Sequence, residues 1–549
     1  MEIENDPLGP VLAISSDGSW LVFVGWKDGR SQLYRRDLGQ FDAMPIPGTE
    51  DGRQPFFSTD GRWVAFFANG ELKKVPLAGG PTQIIAEAPK PCGASWGPDG
   101  TIVFNRRLGE GLCRVSAVGG APDVFLARGG SWNYWPEFLP DVRSVLFTNF
   151  SGLIDDNPQI QIIDLESRAR KTVIEDGSYA RYVPTGHLVF GHRAGIRAVP
   201  FDADRREING PAVPIPEPIL YDFENGLPQL AISTTGSLAF LRGGSTPRRQ
   251  LVSVDLEARE TPLIEAEGGF AYPRYSPDGE RLAFTISEPG NVNIWILNLS
   301  TRAQSKLTLE GNNNFPVWTP DGERVTFHSR RRGVDGIYWK RADGSGDSEP
   351  LVRTEKVGDT MVPHSWSPDG NTLVFQSLSS TEAEVRSDLW IMTLEGDRNP
   401  RPLMATAALE AGAALSPDGR WLAYKSNESG RYEIYVQPFP GGGERHQLST
   451  DGALPAVWST DGRAIFFQTE DQVLAVPVST VPTFRAGAPR VLFEAAYDPG
   501  YSGTHRNFDI APDGKSFVFV KADEEWGRAT EIRMVLNWFE ELKRLAPTD

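Results

Sequence analysis

The chain has 549 residues with 56 Gly and 43 Pro, a net charge of −17 and 40 % hydrophobic residues. That acidity excludes nucleic acid as a partner, which needs a basic face, and aromatics spread throughout the chain exclude disorder. No stretch approaches the roughly eighteen apolar residues of a membrane-spanning helix, so no membrane insertion is expected of this chain.

Met1-Glu2-Ile3-Glu4-Asn5-Asp6 is acidic and lacks the apolar centre of a signal peptide. The first recurrent feature is a turn at Ser16-Asp17-Gly18, repeated at Thr59-Asp60-Gly61 and Pro98-Asp99-Gly100. It then degrades to Leu139-Pro140-Asp141-Val142, Val183-Pro184-Thr185-Gly186 and Ser233-Thr234-Thr235-Gly236. The clearest copy is Ser276-Pro277-Asp278-Gly279, followed by Thr319-Pro320-Asp321-Gly322, Ser367-Pro368-Asp369-Gly370 and Ser416-Pro417-Asp418-Gly419. Ser459-Thr460-Asp461-Gly462 and Ala511-Pro512-Asp513-Gly514 complete the series, with steps between 39 and 52 residues.

Proline presets the second φ of this turn and glycine takes the left-handed position without a Cβ clash. Hydrophobic residues precede and alternate after it, as in Pro316-Val317-Trp318 and then Val325 and Phe327, which reads as strand, turn, strand. A third strand (Asn293-Ile294-Trp295-Ile296-Leu297, Glu433-Ile434-Tyr435-Val436) and a shorter fourth follow each time. Four strands per period of forty-odd residues is a propeller blade. The expected fold is therefore all-β: two tandem six-bladed β-propellers of four-stranded antiparallel blades, over residues 1–265 and 266–549, the second ending in a short C-terminal helix that covers a sheet edge or ring face.

Closure is expected through Thr261-Pro262-Leu263-Ile264, supplying a fourth strand to a last blade whose third strand is Ile532-Arg533-Met534-Val535-Leu536. The Ile3 region is expected to close the first ring. Asn537 and Glu540 make a capping-box-like start for the final helix, and Pro547 stops it.

Cys92 and Cys113 match no zinc motif and stand either as two thiols or as one bridge. No nucleophile elbow, P-loop, dinucleotide fingerprint or H-E-x-x-H is present, and the six histidines are dispersed over five repeats. The repeated turn aspartates read as turn formers. The non-repeating strand-entry loops, which converge on the ring centres, are the candidate sites instead. Around the second centre they hold Tyr272, Arg274, Asn313, Asn314, Asp359, His364, Glu410, Asp451, His505 and Arg506. Around the first they hold Arg53, Gln54, Lys90, Trp132, Tyr134, Tyr179, Arg181, Asn225 and Gln229. The expected ligand-binding set is Arg274, Asn313, Asn314, His364, His505, Arg506, Trp132, Tyr134 and Arg181. No catalytic residue, cofactor or metal is expected, and a metal at His364 and His505 in a propeller lyase or hydrolase is the rival.

The S-P-D-G turns resemble the TolB-type, WD-like propeller repeat. Trp96-Gly97-Pro98-Asp99-Gly100, Asn312-Asn313-Asn314-Phe315-Pro316-Val317-Trp318, Trp421-Leu422-Ala423-Tyr424-Lys425-Ser426-Asn427-Glu428-Ser429-Gly430-Arg431-Tyr432-Glu433 and the ending Val535-Leu536-Asn537-Trp538-Phe539-Glu540-Glu541-Leu542-Lys543 extend the likeness. They resemble the C-terminal propeller region of bacterial eukaryotic-like serine/threonine protein kinases. No kinase lysine motif, catalytic loop or D-F-G accompanies them. The resemblance implies a sensor or interaction module for a protein, peptide or small ligand, extracytoplasmic if it is the sensor of a membrane kinase and otherwise cytoplasmic. It carries over no catalytic residue.

Overall fold

A computed structural model describes residues 3–4, 9–27, 30–40, 42–107, 110–127, 131–150, 158–192, 195–222, 226–243, 249–288, 291–331, 334–354, 359–380, 385–396, 398–469, 471–494, 497–500, 505–522, 528–529 and 531–548. Among them, one α-helix, Trp538–Leu545, accompanies an otherwise all-β chain. The chain divides into two compact units, the first formed by Met1–Gly152, Asp156–Thr246 and Glu524–Asp549, the second by Leu153–Asp155 and Pro247–Asp523.

One four-stranded antiparallel sheet recurs in both units. In the first, Leu12–Ile14, Trp20–Lys27, Arg30–Asp37 and Ala43–Glu50 pair each with the next. The same order restarts at Arg53–Phe57, Ala94–Trp96, Trp132–Phe138 and Ser178–Val183. In the second unit it starts at Phe270–Tyr275, Asn312–Trp318, Thr360–Trp366, Glu410–Leu415 and Val457–Trp458. Within each unit the innermost strands of successive sheets touch one another, and cores such as Ala283, Ile294, Ile296, Val325 and Phe327 fill the space between neighbouring sheets. These are propeller blades.

The turn chemistry is as the repeat demands. Gly61, Gly279, Gly322, Gly370, Gly419, Gly462 and Gly514 all lie at φ between 68° and 72°. The turn aspartate closes each loop: Asp278 Oδ1 accepts the Ser276 hydroxyl and the Glu280 amide, while the Arg281 amide donates to Ser276 Oγ at 2.9 Å. Asp60, Asp369 and Asp461 are held below the usual carboxylate range first by the hydroxyls of Ser58, Ser367 and Ser459. In the degraded copy Val142 occupies the glycine position at φ 58°. The tryptophan before the turn wedges blades together: Trp318 Nε1 donates to Arg274 O, Trp366 Nε1 to Thr326 Oγ1 and Trp458 Nε1 to Ala414 O, each at 3.0 Å.

Closure departs from the expected order. Glu260–Pro262 is the outermost strand of the sheet that carries Phe508–Ile510 and Ser516–Ala522, in line with the assignment of Thr261 and Pro262. The third strand of that sheet, however, is Arg249–Asp255. Ile532–Val535 instead pairs with Leu238–Leu241, as third strand to the sheet begun by Leu230–Ile232 in the first unit. Each of these two sheets therefore joins segments far apart in the chain. Ile3–Glu4 pairs with Arg528–Ala529, also within the first unit.

The terminal helix belongs to the first unit as well, not to the second. Trp538 and Leu542 are buried among Val183, Leu230, Leu238 and Phe240. Asn537 does not cap it. Its φ of 56° is left-handed and its side chain makes no cap hydrogen bond. The Trp538 amide finds Gly236 O at 2.8 Å instead, and its indole Nε1 donates to Glu217 Oε1 at 2.8 Å.

Candidate functional site

The innermost strands share a device that the strand pattern does not show. Register shifts fall between Arg53 and Phe56, Tyr134 and Glu137, Ser178 and Arg181, Ala271 and Arg274, and Asn314 and Val317. At each of these bulges one residue is left-handed: Gln54, Trp135, Tyr179, Tyr272 and Phe315, with φ between 49° and 56°. Large side chains rarely adopt this conformation, so the surrounding contacts must hold it. They do: the Tyr179 amide donates to Thr148 Oγ1 at 2.8 Å, the Tyr272 amide to Asn507 Oδ1 at 2.7 Å and the Trp135 amide to Cys92 O at 2.9 Å, each reaching the preceding sheet. The bulge re-aims the residues after it toward the centre of the unit. Glu137, Arg181 and Arg274 sit at those positions.

In the first unit the innermost strands surround a cavity of about 230 Å³. Leu12, Gln54, Ser95, Glu137, Arg181 and Leu230 are among its lining residues, each from a different sheet. Arg181 Nη1 pairs with Glu137 Oε2 at 2.7 Å, and its guanidinium lies 3.9 Å from the centre of the Tyr179 ring. Burial pushes the Glu137 carboxyl up even with Arg181 beside it. For Arg181 burial acts downward, but Glu137 and Tyr179 outweigh it and leave the guanidinium raised. The arrangement offers a partly buried ion pair in a cavity lined by both aromatic and polar side chains, among them Phe56, Trp96, Gln54 and Ser95.

In the second unit rings from the innermost strands and their entry loops stack on one another. Phe315 stacks on His505 with centroids 4.1 Å apart, and His505 on His364 at 5.4 Å. Tyr272 packs on Phe315 at 4.5 Å. Burial holds His364 down to about 3, and His505 well below the usual imidazole range, with Arg274 and Arg506 adding to the effect on His364. A hydrogen-bonded chain runs outward: His364 Nε2 meets Gln376 Oε1 at 3.2 Å, Gln376 Nε2 donates to Ser387 Oγ at 2.6 Å, and Ser387 Oγ donates to Glu410 O at 2.5 Å. Arg274 donates to the carbonyls of Pro273 and Arg506 at 2.7 Å. Burial, with Arg506 close by, pulls its guanidinium well below the usual range.

A family model described as the TolB beta propeller domain matches residues 237–357 and 350–535, together more than half of the chain. The chain belongs to this family. Among solved structures, the putative TolB from Agrobacterium tumefaciens shares 20 % identity at TM-score 0.39, covering 51 % of this chain and 99 % of that one. TolB from Acinetobacter baumannii shares 15 % at TM-score 0.35, over 64 % of this chain and 80 % of that one. The tricorn protease shares 12 % at TM-score 0.33, over 99 % of this chain and 64 % of that one. These are likenesses of fold alone.

In this TolB-type chain the expected site residues divide. Arg274, His364, His505 and Arg506 come together in the second unit, and Arg181 lines the cavity of the first. Trp132 and Tyr134 do not line that cavity; Tyr134 packs on Trp135 and Phe150 at 5.7 and 5.5 Å, as an aromatic wedge between strands. Asn313 is fully buried, donating to Glu310 O and Gly311 O and accepting from Ser329 Oγ. Asn314 Oδ1 accepts the Thr285 hydroxyl and the Phe315 amide, which fixes the bulge. Asn225 lies outside the described residues. Glu137, Gln376, Ser387 and Lys425 were not in the expected set. A proline inside an innermost strand (Gln54-Pro55, Trp135-Pro136, Tyr272-Pro273, Phe315-Pro316) is the signal that would have found the bulges, because strand-interior proline is confined to edges and bulges.

Cys92 and Cys113 are buried and not bridged to each other, and burial pushes the Cys113 thiol up to about 11. Among the described residues no group of three or more His, Cys, Asp or Glu is placed to hold a metal ion. The His364 and His505 rings lie face to face at 25°, an arrangement for stacking rather than for aiming two nitrogens at one point.

Proposed function

We propose that the chain is a non-catalytic interaction module, each unit a six-bladed ring whose centre takes a protein segment, peptide or small ligand. The TolB-type propeller supports a role in protein interaction. The observation that carries the ligand site is the cavity of the first unit, with the Arg181–Glu137 pair facing a space of about 230 Å³. That volume admits a few residues of extended peptide or a small polar molecule, and a partly buried, oriented charge pair confers specificity at low area. Its place as the sensing part of a bacterial signalling protein, outside the cytoplasm, follows from the resemblance to kinase-linked propellers.

The test is a thermal-shift screen of the full chain against short peptides and small polar metabolites, repeated in Arg181→Gln and Glu137→Gln. Saturable ligands whose effect disappears in both variants support the reading. Hydrolase or lyase turnover abolished by the same substitutions would contradict it.

A further inference from the structure

The centre of the second unit holds a guanidinium, that of Arg274, with a buried and unused N–H. Arg274 is 9 % exposed and, among the described residues, makes no ion pair; its Nη atoms serve three main-chain carbonyls, those of Pro273, Phe508 and Arg506. Its Nε is buried without a hydrogen-bond partner. Arg506 beside it pairs with Asp509 at 3.1 Å, and its Nε is likewise buried and unpartnered. Asp509 is already engaged, accepting the Tyr275 amide at 3.0 Å. Lys425, 3 % exposed, enters from the strand Trp421–Ser426 with Nζ 4.1 Å from the centre of the Tyr432 ring, and its charge is felt at His505.

Asp509 is the carboxylate felt at Arg274, and its oxygens are held by Arg506 and the Tyr275 amide. His364 and His505 are held uncharged by burial. His328 meets Asp335 at 2.8 Å, so that carboxylate is already taken. Glu410 is driven toward its neutral form by burial, with Asp388 and Glu428 adding to it. A buried guanidinium without a carboxylate in contact is costly, and an anion reaching its unused N–H would offset that cost with a charge-assisted bond.

We propose that the centre of the second unit is a receptor for an oxyanion, the carboxylate or phosphoryl group of a ligand, gripped by Arg274 and Arg506 beside the His505–His364 stack, with Lys425 adding charge. This rests on the reading that the unit centres bind ligands, and names the chemistry of one of them. Guanidinium N–H groups suit both oxyanions, each arginine here offering its unpartnered Nε–H, and the uncharged imidazoles leave the arginines as the deciding groups.

The experiment is calorimetric titration and thermal unfolding of the full chain with sodium acetate, inorganic phosphate and sodium sulfate, against sodium chloride at equal ionic strength. Because sulfate stabilises folded chains generally, the difference between wild type and Arg274→Gln is what is read. Wild type is expected to bind at least one oxyanion saturably, with affinity at least tenfold weaker in Arg274→Gln and also reduced in Lys425→Gln. A response to acetate alone assigns a carboxylate, and a response to phosphate and sulfate a phosphoryl group. Should Arg274→Gln fail to fold, Arg506→Gln is read in the same way. Equal responses to chloride, or an oxyanion response unchanged in a folded arginine variant, overturn the proposal. Ligands found in the peptide and metabolite screen that bind the second unit undisturbed by saturating oxyanion overturn it too, while leaving the interaction reading intact.

Discussion

At the scale of single residues, the repeat is governed by one backbone position. Val142 occupies at φ 58° the place that glycine holds in the sound copies, a conformation that a β-branched side chain resists. Val142→Gly should raise stability by about 1 kcal/mol and Gly419→Ala lower it by at least as much, since its Cβ would meet Pro368 Cδ at 3.0 Å. Denaturant unfolding of the two variants checks both signs. The histidines give a pH signature. His364 titrates near 6.5 when unfolded and is held at about 3 by burial when folded. Between those values the unfolded chain binds the extra proton, so this stability is complete above pH 6.5 and is lost as pH falls. A loss of about 2 kcal/mol from this group between pH 7 and pH 5 is expected, with His505 acting in the same direction. His364→Gln should flatten the profile in that window; an unchanged slope would place His364 elsewhere.

At the scale of elements, turn, strand and blade were all legible in the sequence, because proline, aspartate and glycine act within four residues and strand alternation acts within six. What was not legible is long-range pairing. Nothing near Ile532–Val535 marks Leu238–Leu241 as its partner, so chain order suggested the wrong sheet. The helix cap failed for a similar reason: the capping pattern of Asn537 and Glu540 is local, whereas the amide of Trp538 is served by Gly236, some three hundred residues away. Removing residues 524–549 should therefore strip an edge from Leu238–Leu241 and uncover Val183 and Leu230. Hydrogen exchange at residues 179–190 and 230–241 is expected to accelerate strongly, with residues 281–298 unchanged. Acceleration confined to 508–522 would contradict this pairing.

At the scale of the whole molecule, the acidic turns and the unit centres compete for the role of binding surface, and the two are chemically distinct. Arg181, Arg274, His364 and Arg506 were legible as polar residues of the non-repeating strand-entry loops at the ring centres. Glu137 was not, being a lone carboxylate whose meaning appears only when the bulge after Tyr134 turns it to Arg181. The turn aspartates spend their oxygens on their own loops, as Asp60 does with the Ser58 hydroxyl and the Arg62 amide. The most direct measurement is ligand affinity, for any ligand recovered from the screens, in two variant sets of the full chain. Arg181→Gln and Arg274→Gln alter the centres, and Asp60→Asn and Asp369→Asn alter the turns. Binding lost in the centre variants and retained by the less stable turn variants is the predicted result; binding lost in the turn variants and retained in the centre variants would contradict the account.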